Sequence, residues 1–146
     1  PEKRKELTTE GGLDLNKNFK FLNKNLPELI NKGIEVSLFV DPNVENIEIV
    51  KELGVNAIEV HTGSYANSNN RNKGAYLQKI KNIVKVAKNN HIIVSAGHGL
   101  NFDNVKNIIK ISGIEELNIG HFIIGEAIFY GLENVILKML KLMNKK

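Results

Sequence analysis

The side chains best suited to chemistry stand at the ends of short apolar segments of the chain. One segment ends with Glu59 and His61, a second leads into Gly97-His98-Gly99, and a third leads into Gly120-His121. A carboxylate stabilises positive charge, imidazoles exchange protons near neutral pH, and glycines let backbone N–H groups approach an anion. This combination predicts acid–base chemistry on a small anionic molecule.

Glu59 and His98 are the best catalytic candidates, and each also has a structural explanation. Glu59 is two residues from His61 on a predicted strand, so both side chains should point to the same side, where a carboxylate is costly unless it meets a cation. It could equally form a structural ion pair or be a partly hydrated acid at the end of the strand. His98 could exchange protons or be a loop histidine bonded to the backbone. The residue types alone leave these alternatives open.

Histidines at neighbouring strand ends also raise the alternative of a metal site, because neutral imidazoles bind zinc. The sequence shows no close His-x-His pair and no aspartate in an obvious position for a further ligand, so we predict no metal. His91 begins a segment rather than ending one and is expected to be structural or exposed. The asparagine-rich segment 67–72 is expected to be a mobile loop, with closure over the site as the alternative.

Repeated strand and helix signals supply a scaffold for these side chains. Strands are predicted where β-branched and apolar residues concentrate, at residues 34–40, 57–61, 91–96 and 116–119. Helices are predicted between and after the strands from apolar residues at helical spacing, as in the stripe Leu77, Ile80, Val84 and Ala87.

Turn and cap residues set the predicted ends of these helices. Asp41-Pro42 and Asp103 are predicted to start two helices, which Gly54 and Gly113 end. Residues 15–31 also have a helical pattern, although Pro27 is expected to kink or split that helix.

Strands separated by helices require parallel pairing through right-handed crossovers, so the sequence predicts an α/β fold. It contains no Gly-x-Gly-x-x-Gly turn and no Walker lysine loop, which disfavours dinucleotide and nucleotide folds. The remaining candidate is the (β/α)₈ TIM barrel, which needs eight units and typically about 250 residues. The 146 residues supply about half, so we expect a single domain over 1–146 that is a partial barrel, either a fragment or a half-barrel that must associate.

The barrel hypothesis also locates the phosphate site. In such barrels the reactive side chains project from the C-terminal ends of the strands, and the loops after the last two strands often bind phosphate. Gly99 and Gly120-His121 are therefore the best phosphate-binding candidates.

Composition narrows the function classes. With 42% hydrophobic and 25% charged residues the chain is of ordinary globular composition. The net charge of +4 could indicate a nucleic-acid partner, but the lysines of 79–88 alternate with apolar residues as on the solvated face of a helix, so we predict no nucleic acid. No apolar run approaches the roughly 18–20 residues of a membrane span, the start has no signal-peptide pattern, and cysteine is absent, so we predict a cytoplasmic protein without a membrane partner.

Long motifs over the whole chain resemble the pyridoxine 5′-phosphate synthase (PdxJ) family. In chain order they are Pro1-Glu2-Lys3-Arg4, Leu7-Thr8-Thr9-Glu10-Gly11-Gly12-Leu13-Asp14, Val36-Ser37-Leu38-Phe39, Ile58-Glu59-Val60-His61-Thr62-Gly63, Ala96-Gly97-His98-Gly99-Leu100 and Glu116-Leu117-Asn118-Ile119-Gly120-His121. The resemblance implies a TIM barrel with extra helices, assembled as a homo-octamer, of which this chain is the C-terminal part, about strands five to eight. It also implies that the family's N-terminal portion is absent here.

The resemblance further implies a transferase of vitamin B6 biosynthesis that needs no cofactor. It condenses 1-deoxy-D-xylulose 5-phosphate with 3-amino-2-oxopropyl phosphate through Schiff-base intermediates, and releases phosphate and water. By motif, Thr8 would bind deoxyxylulose phosphate, Glu59 would stabilise cationic intermediates, and His98 would donate a proton. The phosphate of the amino-ketone would be held by Gly99, Gly120 and His121.

Some features depart from the family pattern. Ser95 stands where the family usually has Asn, and Glu126 where a basic residue is common. These differences bear on the expected fine tuning for substrate more than on the expected reaction class. A further His and Glu of the family's proton-transfer set lie in the portion not present, so this polypeptide alone should lack a full site. The alternative function is therefore a non-catalytic half-barrel, a fragment or an assembly partner.

Overall fold

The computed structural model describes residues 11–144 as alternating helices and strands. The elements are α1 (Leu15–Asn31), β1 (Ser37–Val40), α2 (Asn46–Glu52), β2 (Ala57–His61), α3 (Gly63–Ala66), α4 (Asn70–Asn89), β3 (Ile93–Gly97), α5 (Val105–Ile108), β4 (Glu116–Asn118), α6 (His121–Tyr130) and α7 (Leu132–Met143). The strands form a parallel four-stranded sheet in the order β1-β2-β3-β4. The predicted α/β class is confirmed.

One face of the sheet forms the core of the protein. Its side chains are buried together with the apolar stripes of the helices, including the predicted stripe of α4. The buried strand residues on this face are Leu38, Val40, Ile58, Val60, Val94 and Ala96. Each fully buried aliphatic side chain contributes about 1.5–3 kcal/mol, so this face holds the strands in place.

The opposite face is more open. Phe39, Glu59 and Ser95 lie side by side on it in the parallel register, and each is only half-buried. Ile93 on the same face is 48% exposed. Because side chains alternate along a strand, the packing of Ile58 and Val60 into the core directs Glu59 to this open face.

Of the expected kink or split at Pro27, the split does not occur, because α1 is one helix from Leu15 to Asn31. Asp14 caps its start by accepting a hydrogen bond from the Lys17 N–H at 3.0 Å. Pro27 is exposed, while Leu22 and Leu26 on the other side of the helix are buried in the core. Their packing outweighs the backbone hydrogen bond that proline removes.

Both predicted aspartate caps are wrong. The helix after β1 starts at Asn46 rather than at Pro42, and the Asp41 carboxylate instead forms a hydrogen bond with the His61 ring. The turn before α5 is organised by Asn101, whose side-chain oxygen accepts from the N–H groups of Asp103 and Asn104 at 2.9 and 3.0 Å. A local side-chain bond of this kind replaces the expected cap by Asp103.

Strands β1 and β3 begin later than predicted, whereas β2 and β4 begin at the predicted residues. His91 precedes β3, is exposed, and has a φ of 58°. Segment 67–72 is divided between a short connection and the first turn of α4, whose N-cap is Asn69. None of the helices within residues 11–144 combines the length and the apolar character needed to cross a membrane.

Candidate active site

A cavity of about 660 Å³ lies at the C-terminal ends of the strands. This volume is in the range of small-molecule sites. Its lining includes Glu59, His98, Gly99, Gly120 and His121, so the structure brings together all the predicted site residues that it describes. The predicted substrate residue Thr8 lies outside the described residues.

Glu59 presents its carboxylate to this cavity from β2. The Oε2 atom accepts a hydrogen bond from the Asn118 side-chain amide at 2.7 Å. A Cβ atom at Gly97 would overlap the Oε1 atom, so glycine at this position makes room for the carboxylate. Within residues 11–144 no lysine, arginine or histidine forms an ion pair with Glu59, which argues against the structural ion-pair alternative.

His98 follows β3 directly and has an uncommon backbone conformation. Its φ is 80°, in the left-handed region that non-glycine residues adopt rarely and at a cost. The buried Thr62 hydroxyl lies 2.6 Å from the His98 carbonyl oxygen and 2.7 Å from that of Gly97, and donates to this pair of acceptors. The strained turn that carries the imidazole is therefore held from the neighbouring strand end.

Asp41 and His61 form a hydrogen-bonded pair beside the cavity, and this pair was not predicted from the sequence. The Asp41 Oδ1 atom lies 2.8 Å from the Nδ1 atom of the buried His61. Asp41 also accepts a hydrogen bond from the Gly12 N–H at 3.3 Å. The bond from His61 is the main cause that holds the pKa of Asp41 below its usual value of 3.8; partial burial opposes this shift, and the Gly12 bond adds to it.

The lowered pKa of Asp41 predicts a pH-dependent loss of stability in the Asp41→Asn variant. A carboxyl group with a depressed pKa stabilises the fold above its unfolded pKa, and this contribution is lost as pH falls through the folded pKa. The side chain is 60% exposed, so we expect a decrease of under about 1 kcal/mol in the free energy of unfolding at neutral pH. Urea unfolding should show that the difference in unfolding free energy between the wild-type protein and the variant disappears below about pH 4. A difference that stays constant with pH would contradict the assignment.

Glycines and a helix start form the other side of the cavity. Gly99 has a φ of 73°, which favours glycine, and its carbonyl oxygen accepts from the side-chain amide of the buried Asn104 at 3.0 Å. Gly120 is the N-cap of the ten-residue helix α6, and His121 is the first residue of that helix. The first N–H groups of a helix have no intrahelical acceptor and attract anions, so this side of the cavity is suited to phosphate.

The residues of this chain match the family profile described as "Pyridoxal phosphate biosynthesis protein PdxJ" over 1–145. The chain belongs to the PdxJ family. Among curated relatives, each named pyridoxine 5'-phosphate synthase, that of Sulfurihydrogenibium sp. (strain YO3AOP1) is 49% identical over 95% of this chain and 57% of its own length. The relative from Zymomonas mobilis subsp. mobilis (strain ATCC 31821 / ZM4 / CP4) is 49% identical over 99% of this chain and 56% of its own length. The relative from Prochlorococcus marinus (strain AS9601) is 46% identical over 97% of this chain and 60% of its own length.

This chain therefore spans less than two thirds of the length of these PdxJ relatives. The described residues that line the cavity all fall within the range that matches the family profile. Membership of the PdxJ family links the chain to pyridoxal phosphate biosynthesis.

The two positions at which the sequence is expected to depart from the family pattern lie in different places. Ser95 is next to Glu59 in the sheet register, and its hydroxyl donates to the Ile58 carbonyl oxygen at 3.3 Å. Glu126 lines a separate, smaller cavity with Phe102 and Lys138. Of the two positions, Ser95 is therefore the one next to a residue that lines the main cavity. In residues 11–144 no group of three or more His, Asp or Glu side chains is arranged to hold a metal ion.

Proposed function

We propose that the complete protein is a pyridoxine 5′-phosphate synthase. It condenses 1-deoxy-D-xylulose 5-phosphate with 3-amino-2-oxopropyl phosphate to give pyridoxine 5′-phosphate, phosphate and water. The observation that carries this proposal is the single cavity that collects a carboxylate, an imidazole and a glycine-bounded helix start. The names of the relatives support it.

Glu59 is proposed to stabilise the cationic intermediates. Attack of an amine on a ketone gives a carbinolamine, and loss of its hydroxyl group as water gives a positively charged imine. A fixed carboxylate in a partly dehydrated cavity stabilises that charge better than water does. The bond from the neutral Asn118 amide orients the Glu59 carboxylate without neutralising it.

His98 is proposed as the proton donor. A leaving hydroxyl group must be protonated before it departs as water, and an imidazole titrates close enough to neutral pH to give and regain a proton. The position of His98 supports this role, because it lines the cavity together with Glu59. A carboxylate and a proton donor on one cavity suit a reaction with repeated proton transfers.

Gly99, Gly120 and His121 are proposed to bind the phosphate of the amino-ketone. The N-terminus of α6 and the exposed His121 face the same cavity as the two catalytic candidates. Thr8 is proposed, from its place in the family motif alone, to bind the second substrate. No cofactor or metal takes part in the proposed reaction.

The phosphate assignment predicts a binding defect in the His121→Ala variant. A hydrogen bond to a charged group is worth about 1.5–3 kcal/mol, so the KM for 3-amino-2-oxopropyl phosphate should rise at least about tenfold. The turnover number should change little, because the phosphate bond is present in ground and transition states alike. Steady-state kinetics would show this, with His91→Ala, an exposed histidine beyond the other end of β3, as the matched control. An unchanged KM would remove His121 from the phosphate site.

We propose further that residues 1–146 form one domain that builds strands five to eight of a TIM barrel. Parallel strands in sequential order, crossover helices on one face and an open second face are the features expected of part of a barrel wall. The outer surface of α6 and α7 supports assembly with further polypeptide, up to a homo-octamer, since Ile128 is 78% and Phe129 is 81% exposed. The proposed location is the cytoplasm.

The test of the function is a direct assay of the complete protein with both phosphates. We expect pyridoxine 5′-phosphate to form together with an equal amount of inorganic phosphate. Native mass spectrometry of the same sample measures the assembly. Absence of product from a folded, assembled protein would favour the alternative of a non-catalytic barrel part.

A further inference from the structure

We propose that Asp41, His61, Thr62 and Gly63 form a seat that positions the His98 imidazole for proton transfer. This inference rests on the proposed function for its kinetic consequences, while its geometry stands on the structure alone. Within the described residues the lining of the cavity includes His98 and none of the four seat residues. They therefore act through His98 and are positioning residues.

The first part of the seat is the pair of Asp41 and His61. A carboxylate accepts hydrogen bonds, so the contact of 2.8 Å places a proton on the His61 Nδ1 atom. When the ring is neutral, this partner selects the tautomer with the proton on Nδ1. Asp41 thus fixes the rotation of the His61 ring.

The His61 ring is in turn packed against His98. The two ring centroids are 4.9 Å apart with an interplanar angle of 53°. On another side Phe39 meets the His61 ring in an edge contact, with centroids 5.1 Å apart at 70°. Because Asp41 and Phe39 hold the His61 ring in place, that ring limits the positions that the His98 imidazole can take.

The next residues of the seat hold the His98 backbone and make room for its ring. The Thr62 N–H donates to the Gly97 carbonyl oxygen at 2.8 Å, and the Thr62 hydroxyl binds the same turn. A Cβ atom on Gly63 would lie 2.5 Å from the His61 Nε2 atom and 2.7 Å from the His98 Cδ2 atom. Three consecutive residues, His61, Thr62 and Gly63, therefore each set one aspect of the position of His98.

A purely structural role explains His61 poorly. Its Nε2 atom is buried and has no hydrogen-bond partner within the described residues. An unpaired buried polar atom costs about 1–3 kcal/mol, which offsets what the exposed partner Asp41 returns in stability, so stability alone does not account for an imidazole at position 61. An apolar ring could not make the bond to Asp41 that fixes the ring beside His98.

The seat predicts a loss of turnover without a loss of substrate binding. In the complete protein, Asp41→Ala and His61→Ala should each lower kcat by about 10–100-fold, because a catalytic group displaced by about 1 Å loses rate on this scale. The KM for both phosphorylated substrates should stay within about twofold, since Asp41 and His61 do not line the cavity among the described residues. Asp103→Ala, an exposed aspartate on a nearby loop, is the control and should retain kcat.

A pair of Thr62 variants separates positioning from stability. Thr62→Ser keeps the hydroxyl and should keep most of kcat, whereas Thr62→Val keeps the volume and should lose kcat to a degree similar to Asp41→Ala. A merely structural role predicts losses of kcat that follow the decrease in thermal unfolding temperature from variant to variant. Retention of kcat within about twofold in folded Asp41→Ala and Thr62→Val would overturn the proposal.

Crystal structures of the Asp41→Ala and Thr62→Val variants distinguish a failed seat from a failed function. We expect a rotated His98 ring or more than one His98 conformer, with the sheet unchanged. If the wild-type protein forms no product but the His98 ring is displaced in the two variants, the proposed function is wrong and the positioning role of the seat is retained. If the ring keeps its wild-type position in both variants, the seat is wrong whatever the activity.

Discussion

The Glu59→Gln variant of the complete protein is expected to lose about 10²–10³-fold in turnover, the cost typical of removing one preorganised electrostatic group from a transition state. Glutamine has nearly the same size as glutamate and keeps an oxygen that can accept the bond from Asn118. The fold and the packing beside Gly97 should therefore survive. What is lost is the negative charge that offsets the cationic imine.

The matched control for Glu59 is Glu116→Gln. Glu116 lies on the same face of the sheet, pairs with Ser95 in the parallel register, and is exposed. It does not line the cavity, so its neutralisation should leave turnover within about twofold. Steady-state kinetics with both phosphorylated substrates measure the turnover of the two variants. Equal turnover in the wild-type and Glu59→Gln proteins would remove the electrostatic role of Glu59.

The strands that carry the site could be predicted where one face alone is buried. In β2 the alternation of Ile58 and Val60 with polar neighbours sets both the bounds of the strand and the direction of Glu59. The first strand was predicted too long because Ile34 resembles a strand residue, yet it follows the turn at Gly33 and remains 49% exposed. Local composition does not show whether an apolar residue packs against another part of the fold.

The shared cavity could be anticipated because parallel strands bring their C-terminal ends to one edge of the sheet. The pair of Asp41 and His61 could not, since Asp41 before Pro42 has the local pattern of a helix cap. Its actual partner is set by register: Val40 is opposite Val60, so the residues that follow them meet. Register between separated strands is a property of the folded sheet, and neither the Thr62 bonds to the His98 turn nor the space at Gly63 has a signal in the sequence.

The His98→Asn variant is expected to lose about 10²–10⁴-fold in turnover, because asparagine cannot donate and regain a proton near neutral pH. Asparagine is the appropriate replacement, since it tolerates the positive φ of 80° better than most residues and so keeps the strained turn. The chain offers a matched control in His91→Asn: His91 also has a positive φ, 58°, but precedes β3 at the other end of the sheet. Both variants place asparagine at a position with positive φ, and only His98→Asn removes an imidazole from the cavity. Single-turnover and steady-state rates should therefore fall in His98→Asn alone, and equal rates in the two variants would assign His98 to the turn rather than to the chemistry.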